Sequence, residues 1–363
     1  MQKITVDLAE RSYPIYIGSG ILQDIARCLP EEKFTEEIFI ITDDHVRALY
    51  GEDILRAFSG LSRTPSIISV PPGEQSKSLD VLNDIYTSLI RRAATRKSAV
   101  VAFGGGVVGD LAGFVAATFM RGVPFVQIPT TVLAQVDSSV GGKVGVNHRL
   151  GKNLVGAFYQ PLLVYIDLSL LKTLPQRELF AGFAEVVKYG LIRDARFFDF
   201  VADHFDAAID LQDLTALEKI IKRCCEIKAD VVSRDEKESG LRAVLNFGHT
   251  IGHALEASTD YGYFLHGEAI VHGMRAALCI SENLVFRNKD QLLKIRKLLD
   301  KFHSPPVPDG VTPTDIMQAM SKDKKRTKDG QLWVLLEGIG EAIFTRDVPK
   351  KVIMESIEFI IRS

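Results

Sequence analysis

Hydrophobic positions in the first half of the chain predict buried strands that alternate with helices. Residues 1–8 alternate between apolar and polar side chains, and residues 79–91 repeat their apolar positions at helical spacing. Short apolar runs typical of buried strands occupy residues 37–43, 66–70, 98–103 and 125–129. Strands and helices in this order form a mostly parallel sheet, which binds ligands at the carboxyl ends of its strands.

From residue 175 onward the strand pattern nearly disappears. One short strand is predicted at residues 332–336, and helices are predicted at residues 177–191, 214–232, 249–257, 268–286, 291–302 and 314–321. The chain has no internal repeat and no low-complexity linker. We therefore expect a Rossmann-like α/β domain over residues 1–174, followed by a mainly helical domain over residues 175–363.

Charge and cysteine content narrow the class of protein. The 44 basic and 46 acidic side chains give a net charge of −2, so no overall field attracts nucleic acid or an anionic membrane. The four cysteines lack metal-ligand spacing, and free thiols are typical of a reducing cytosol. No apolar run reaches the length of a membrane span, and the first residues lack the apolar core of a signal peptide. We expect a cytoplasmic protein without nucleic-acid or membrane partners.

A glycine-rich segment follows the strand at residues 98–103. It reads Gly-Gly-Gly-Val-Val-Gly-Asp over residues 104–110 and leads into a helical pattern. Glycines in such a loop are expected to permit positive φ and to let backbone N–H groups approach a pyrophosphate at a helix N-terminus. A tight turn between strand and helix, with no ligand, is the alternative interpretation.

The acidic residue that normally binds the ribose is absent at its usual place about 20 residues downstream, where Arg121 and Gly122 stand instead. Asp43, Glu74 and Lys77 are upstream candidates. We therefore expect a variant binding mode, in which several loops at the sheet edge hold the dinucleotide.

Hydroxyl and lysine side chains in nearby turns predict local anion recognition. Thr130 and Thr131 follow a predicted strand, and Lys143 and Lys152 lie in glycine-rich turns. Each lysine is equally well explained as an ordinary surface residue. Lys228, Arg242 and the run at residues 322–326 are further anion candidates, although such a run is most often a solvated loop.

Histidines and a carboxylate in the second half outline a divalent-metal site. His249 and His253 are four residues apart and share one helical face, and His266 follows one loop later. Imidazole and carboxylate ligands suit zinc, whereas incidental hydrogen-bonded histidines are the alternative. Glu185 and Lys188 stand three residues apart among apolar neighbours, which favours a buried functional pair over a weak surface pair.

With these residues in view, the chain resembles the 3-dehydroquinate synthases nearly end to end. The matching segments are residues 72–77, 104–110, 128–143, 151–153, 181–190, 242–256, 266–268 and 323–325. The resemblance implies a zinc ion, with Co²⁺ as an alternative, bound by Glu185, His249 and His266. It also implies that His253 contacts the substrate or supports a ligand, rather than binding the metal as its spacing first indicated.

The same resemblance implies NAD as cofactor and a sugar phosphate, 3-deoxy-D-arabino-heptulosonate 7-phosphate, as substrate. The residues implied around NAD are Asp43, Glu74, Lys77, Gly106, Val107, Val108, Gly109, Asp110, Thr130, Thr131, Lys143, Lys152, Leu170, Leu171, Lys172 and Thr173. Catalytic roles are implied for Asp137, Lys143, Lys188, Asn246 and His253. Substrate contacts are implied for Arg121, Lys152, Asn153, Lys228, Arg242, Lys324 and Lys325, with the choice between the last two left open.

The implied reaction is redox-neutral overall. NAD transiently oxidises an alcohol, phosphate leaves by β-elimination, the hydride returns, and an intramolecular aldol step closes the ring. Arg121 matches an arginine that reaches the phosphate site of a neighbouring subunit, which implies a homodimer. Other sugar phosphate cyclases, such as 2-deoxy-scyllo-inosose synthase, and metal-dependent dehydrogenases resembling glycerol dehydrogenase are the alternatives. A non-catalytic NAD-binding regulator is a third.

Overall fold

The computed structural model describes residues 1–61, 64–322 and 330–362, and it divides the chain into two compact units. The first unit joins Met1–Leu174 with Leu214–Lys237. The second joins Pro175–Asp213 with the chain from Glu238 onward. Residues 214–237 therefore belong with the first unit, whereas the sequence analysis assigned all of residues 175–363 to one domain. Among the described residues, no helix is both long enough and apolar enough to cross a membrane.

A seven-stranded sheet forms the centre of the first unit. Its members are β1 (Gln2–Val6), β2 (Tyr13–Gly18), β3 (Ile38–Asp43), β4 (Ser66–Val70), β5 (Ala99–Gly104), β6 (Phe125–Pro129) and β9 (Leu163–Asp167), while β7 (Lys143–His148) and β8 (Gly151–Phe158) form a separate hairpin. The order is β1-β2-β9-β6-β5-β3-β4, and among these neighbours β1 and β2 alone pair antiparallel. The mostly parallel sheet is confirmed, although β2, β7, β8 and β9 were not predicted.

Helices cover both faces of this sheet. The helices of the unit are α1 (Asp44–Ala57), α2 (Leu79–Arg91), α3 (Gly106–Thr118) and α6 (Leu214–Arg234). Because strand side chains alternate in direction, Ile40 packs in the core shared with α1, and Ile41 packs in the core shared with α2 and α3. Both faces of the strand are buried, which explains its uninterrupted apolar run.

The strand order reverses between β3 and β5. The chain places β4 on one side of β3 and then places β5 on the other side. A crevice outside the carboxyl ends of the strands forms at such a reversal and is the usual ligand site of open α/β sheets. Asp43 ends β3, and Gly104 ends β5, so both flank this crevice.

The second unit is mainly helical. Its elements are α4 (Gln176–Arg193), α5 (Ala195–Ile209), α7 (His249–Ser258), α8 (His266–Leu284), α9 (Lys289–Leu299), α10 (Pro313–Lys322), α11 (Lys350–Arg362) and the hairpin of β10 (Trp333–Gly338) and β11 (Glu341–Thr345). The predicted strand at 332–336 is confirmed as β10. Helices α5 and α11 and strand β11 were not predicted. Helix α4 is buried along nearly its whole second half, from Ala181 to Ile192, so polar residues on it require partners.

Candidate active site

Two glycines let the helices of the second unit pack closely. A Cβ built on Gly267, the second residue of α8, would lie 1.8 Å from the carbonyl oxygen of Ala181 on α4. A Cβ on Gly248, which precedes α7 with a φ of +78°, would lie 2.7 Å from Cγ of Met274 on α8. Side chains at these positions would separate the helices. The glycines therefore hold α4, α7 and α8 near enough for their polar residues to meet.

Helix α4 contributes a buried carboxylate and a buried amine. Glu185 and Lys188 are 0% and 1% exposed, and Lys188 Nζ donates a hydrogen bond to Glu185 Oε2. The pair is therefore buried, as its apolar neighbours predicted. An ion pair taken out of water is expensive unless its remaining polar atoms are satisfied. Among the described residues, Glu185 Oε1 has no hydrogen-bond partner.

The unshared oxygen of Glu185 faces two histidines. Its Oε1 lies 3.7 Å from His249 Nε2 and 3.9 Å from His266 Nε2. The other ring nitrogen of each histidine has an acceptor, because His249 Nδ1 lies 3.1 Å from the carbonyl of Phe247 and His266 Nδ1 lies 3.3 Å from Glu256 Oε2. With the proton on Nδ1 in each ring, both Nε2 lone pairs would face the unshared oxygen of Glu185.

This arrangement fits a divalent metal. One carboxylate oxygen and two imidazole nitrogens lie within 4.8 Å of one another, and the ion would supply the partner that Glu185 Oε1 lacks. His253, Glu256 and His266 form a second group of the same size. In that group, however, Glu256 Oε2 already lies within hydrogen-bond distance of His266 Nδ1. The geometry therefore favours Glu185, His249 and His266 as ligands, with His253 beside them at ring-centroid distances of 5.2 Å from His249 and 5.9 Å from His266.

In the first unit, the glycine-rich segment leads from β5 directly into α3, which starts at Gly106. The expected positive φ is wrong for three of these glycines, because Gly104, Gly105 and Gly106 are absent from the residues with positive φ. The glycines serve close packing instead. A Cβ on Gly104 would lie 2.7 Å from the side chain of Val108, and Cβ atoms on Gly105 and Gly106 would lie 3.1 Å from Thr131 and Ser138. These contacts bring the start of α3 close to the segments that carry Thr131 and Ser138.

A hydrogen-bonded network surrounds Lys77 near this turn. Lys77 Nζ lies 2.5 Å from Asp110 Oδ2 and also donates to Asn153 Oδ1. Asn147 donates from Nδ2 to Glu74 Oε1 at 2.7 Å, and its Oδ1 accepts from the backbone N–H of Asn153 at 2.8 Å. Burial of Lys77 lowers its pKa, but Asp110 and Glu74 outweigh this effect and hold the pKa above its ordinary value. Lys77 therefore stays charged.

The remaining nucleotide candidates of the first unit follow strand ends. Thr130 and Thr131 come directly after β6, and the segment Leu168–Thr173 comes directly after β9. Side chains of Leu170 and Leu171 are buried, so the backbone of this segment, with Lys172 and Thr173, is what remains available to a ligand. Val107 and Val108 lie in the first turn of α3 with Gly109 and Asp110.

Candidate anion-binding residues fall in both units. In the first unit, Lys228 is 4% exposed and its Nζ lies 2.6 Å from Asp137 Oδ1. Lys143 begins β7, and Lys152 and Asn153 lie in β8 just after the hairpin turn. In the second unit, Arg242 is buried, and Asn246 Nδ2 lies 3.1 Å from Glu238 Oε1. Lys324 and Lys325 lie outside the described residues.

Arg121 is presented by an unusual turn after α3. Met120, Arg121 and Gly122 have successive φ values of +50°, +70° and +119°. Residues other than glycine rarely adopt positive φ, and such strain concentrates at functional sites. The Arg121 side chain is exposed.

Sequence reasoning did not single out Glu256 or Asn147. Glu256 lies seven residues after His249 and three after His253, so helical spacing alone places it on the same face of α7. That signal was available in the sequence. Asn147 acts across a hairpin whose register no local pattern reveals.

Family models match most of the chain. A model described as 3-dehydroquinate synthase N-terminal matches residues 67–181, and one described as 3-dehydroquinate synthase C-terminal matches residues 182–326. A 3-dehydroquinate synthase of Desulforamulus reducens is 47% identical over 349 residues, which are 96% of this chain and 97% of that protein.

Solved structures of related cyclases have the same fold. A 2-deoxy-scyllo-inosose synthase complexed with carbaglucose-6-phosphate, NAD⁺ and Co²⁺ superposes with a TM-score of 0.89 at 30% identity, covering 98% of this chain and 99% of the other. A 2-epi-5-epi-valiolone synthase from Streptomyces hygroscopicus, with NAD⁺ and Zn²⁺ bound, gives a TM-score of 0.88 at 27% identity, covering 98% of each chain.

Proposed function

The chain belongs to the 3-dehydroquinate synthase family, and from this premise we propose that it converts 3-deoxy-D-arabino-heptulosonate 7-phosphate into 3-dehydroquinate and phosphate. The structural observation that carries the proposal is the convergence of Glu185 Oε1 with the Nε2 atoms of His249 and His266. A lyase of this kind supplies the shikimate pathway of aromatic amino acid biosynthesis.

The proposed cofactors are NAD and a divalent metal, Zn²⁺ or Co²⁺, as in the two related cyclases. When bound, NAD would accept a hydride from the substrate and later return it, and the ion would polarise an oxygen of the substrate. Asp43, the 104–110 segment and the Lys77 network would hold the nucleotide at the strand reversal. Glu185, His249 and His266 would hold the metal.

The other polar residues of the candidate site would bind charge and move protons. Arg242 and Lys228 are buried cations that suit the phosphate and carboxylate of the substrate, because charge-assisted hydrogen bonds strengthen where water is excluded. His253 lies beside two metal ligands and suits proton exchange with the substrate. Lys188 donates a hydrogen bond to the second oxygen of Glu185 and so fixes the orientation of the carboxylate.

Phosphate release with simultaneous monitoring of NADH absorbance tests this function. The purified protein, supplied with catalytic NAD and Zn²⁺, is expected to release phosphate from 3-deoxy-D-arabino-heptulosonate 7-phosphate without net NADH. Release from glucose 6-phosphate or sedoheptulose 7-phosphate instead would identify another cyclase. Accumulating NADH with a simple alcohol would identify a dehydrogenase.

A homodimer in which Arg121 acts in the partner's site is part of the proposal. The three consecutive positive φ values at residues 120–122 and the exposure of Arg121 support it, because the strained turn directs a cation outward. A two-fold dimer would then contain two sites, each completed by the other subunit.

Mixing two inactive variants tests the cross-subunit role. In a mixed dimer of one Arg121→Ala subunit and one His249→Ala subunit, both defects fall in the same site, so the other of its two sites is intact. Reassembly of an equal mixture should recover about a quarter of the wild-type specific activity. A mixture of Glu185→Ala and His249→Ala should stay inactive, since each residue acts in the site of its own subunit and each site of the mixed dimer therefore carries one defect. No recovery in the first mixture, despite mixed dimers, would contradict the role of Arg121.

A reducing cytoplasm is the proposed location. Cys28, Cys224, Cys225 and Cys279 are free thiols. Burial raises the pKa of Cys225 to about 12, so this thiol is unreactive at neutral pH.

A further inference from the structure

Glu256 is a buried carboxylate on the face of α7 that carries His249 and His253. It is 5% exposed, and its Oε2 lies 3.3 Å from His266 Nδ1 on α8. The carboxylate spans the two helices that supply the histidine ligands of the proposed metal site.

The hydrogen-bond partner of Nδ1 determines whether Nε2 of the same ring is free to bind a metal. A neutral imidazole carries a single proton, and an acceptor beside Nδ1 holds the proton there, which leaves the Nε2 lone pair for a metal. For His249 the acceptor is the carbonyl oxygen of Phe247, which lies 3.1 Å from Nδ1. His266 has the carboxylate of Glu256 instead.

Of the two histidines, His266 is the one that requires the stronger hydrogen bond to fix its ring. Its side chain is 31% exposed, against 12% for His249, and it is the first residue of α8. A charged acceptor makes a stronger hydrogen bond than a carbonyl, and a carboxylate behind a metal-bound histidine also raises the basicity of the ligand.

We propose that Glu256 is a positioning residue, which orients His266 and keeps its proton on Nδ1 so that Nε2 binds the divalent metal together with Glu185 and His249. The inference rests on the metal site of the proposed function. Glu256 would thereby influence the metal affinity of the site and the orientation of one ligand without contacting the metal itself.

Co²⁺ binding in matched variants tests the role. Glu256→Met keeps the buried volume and removes the acceptor, whereas Glu256→Gln keeps an acceptor oxygen. Glu268→Gln is the control, because Glu268 is an equally buried carboxylate near the start of α8 that binds Arg177 instead. Affinity is measured by competition with a chelator, and ligand geometry by the visible absorption of the Co²⁺ protein.

Glu256→Met should weaken Co²⁺ binding about 10- to 100-fold and change the absorption spectrum. Glu256→Gln should recover most of the affinity, and Glu268→Gln should match the wild type. Wild-type affinity and spectrum in Glu256→Met would overturn the positioning role while leaving the metal site in place. A wild-type protein that binds no Co²⁺, or a His249→Ala variant that binds it normally, would overturn the metal site and the inference with it.

Nitrogen NMR of the metal-free wild-type protein gives a test that needs no variant at Glu256. The His266 ring, assigned by loss of its signals in His266→Gln, should be in the Nδ1–H form. A predominant Nε2–H form would contradict the proposal even if Glu256→Met does not fold.

Discussion

At the scale of single residues, helical spacing in the sequence identified His249 and His253 as candidate metal ligands but could not decide between them. His249 and His253 share a face of α7, yet it is Nε2 of His249 that faces Glu185. Choosing between them required the position of Glu185, which lies 64 residues earlier in the chain on α4. Such a choice depends on the crossing of α4, α7 and α8, which no local pattern encodes.

His272 is a buried histidine outside the candidate site, and it is expected to make the stability of the fold depend on pH. Its Nε2 lies 2.8 Å from the carbonyl of Pro305, and among the described residues its Nδ1 has no partner. Burial lowers its pKa below 6.5, so the folded protein keeps the ring neutral. Between that lowered pKa and 6.5 the unfolded chain binds the additional proton, so stability falls as the pH decreases through this window.

Replacement by glutamine should remove this dependence. The free energy of unfolding of the wild type should fall between pH 7.5 and pH 5.5 by more than that of His272→Gln, and the excess is at most about 1.4 kcal/mol per pH unit below 6.5. Denaturant titrations at both pH values measure the free energy of unfolding of the wild type and of the variant. His45→Gln, at an exposed position of α1, should follow the wild type. An equal decrease in His272→Gln and wild type would contradict the assignment.

At the scale of elements, the success of prediction followed the regularity of the apolar spacing. Strands β4 and β6 and helix α2 were predicted at their observed limits, and the buried residues of α2, Leu82, Ile85 and Leu89, are three and four positions apart. Helix α1 was missed, since a gap of eight positions separates its buried residues Val46 and Ile54.

The glycine-rich turns predicted at Lys143 and Lys152 flank the β7–β8 hairpin, and their glycines Gly141, Gly142 and Gly151 have positive φ. A Cβ on Gly145 would lie 2.5 Å from the backbone oxygen of Val155, so the two strands approach closely. The lysines of these segments are therefore presented by a rigid hairpin. Asn147 ties this hairpin to the loop that carries Glu74 and Lys77.

Asn147→Ala should loosen the hairpin turn and weaken NAD binding. The change removes two side-chain hydrogen bonds, each contributing about 0.5–1.5 kcal/mol, and frees Asn153 from its φ of +55°. We expect the Kd for NAD to rise about tenfold, measured by calorimetry. Asn83→Ala, on the exposed side of α2, is the matched control. Unchanged NAD affinity in Asn147→Ala would show that the turn holds its shape without this side chain.

At the scale of the whole molecule, the fold class was predictable but the membership of α6 was not. Its apolar spacing correctly predicted a helix at residues 214–232, and the helix extends from Leu214 to Arg234. A hydrophobic face indicates that a helix packs on something, not which core it joins. In the structure α6 packs against β1, β2 and the segment Ala134–Ser138 of the first unit.

A fragment containing residues 1–174 alone should therefore fail to fold stably. It lacks the buried apolar side chains of α6, such as Leu217, Ile220 and Val231. Each contributes about 1.5–3 kcal/mol, and a whole domain is stable by only about 5–15 kcal/mol. Circular dichroism during thermal unfolding should show no cooperative transition for the fragment. Addition of a peptide covering residues 210–240 should restore one. A cooperative transition in the fragment alone would contradict the contribution of α6.

The order of segments along the chain also determines when each part of the first unit is synthesised on the ribosome. The first unit receives its last helix only after the 39 residues of Pro175–Asp213 have been made for the other unit. At about 5–20 residues per second, synthesis of residues 175–237 takes roughly 3 to 13 seconds. During that interval the surface of β1 and β2 that α6 will cover is exposed in the nascent chain. Chaperones that bind apolar strands would therefore act on this protein at mid-synthesis.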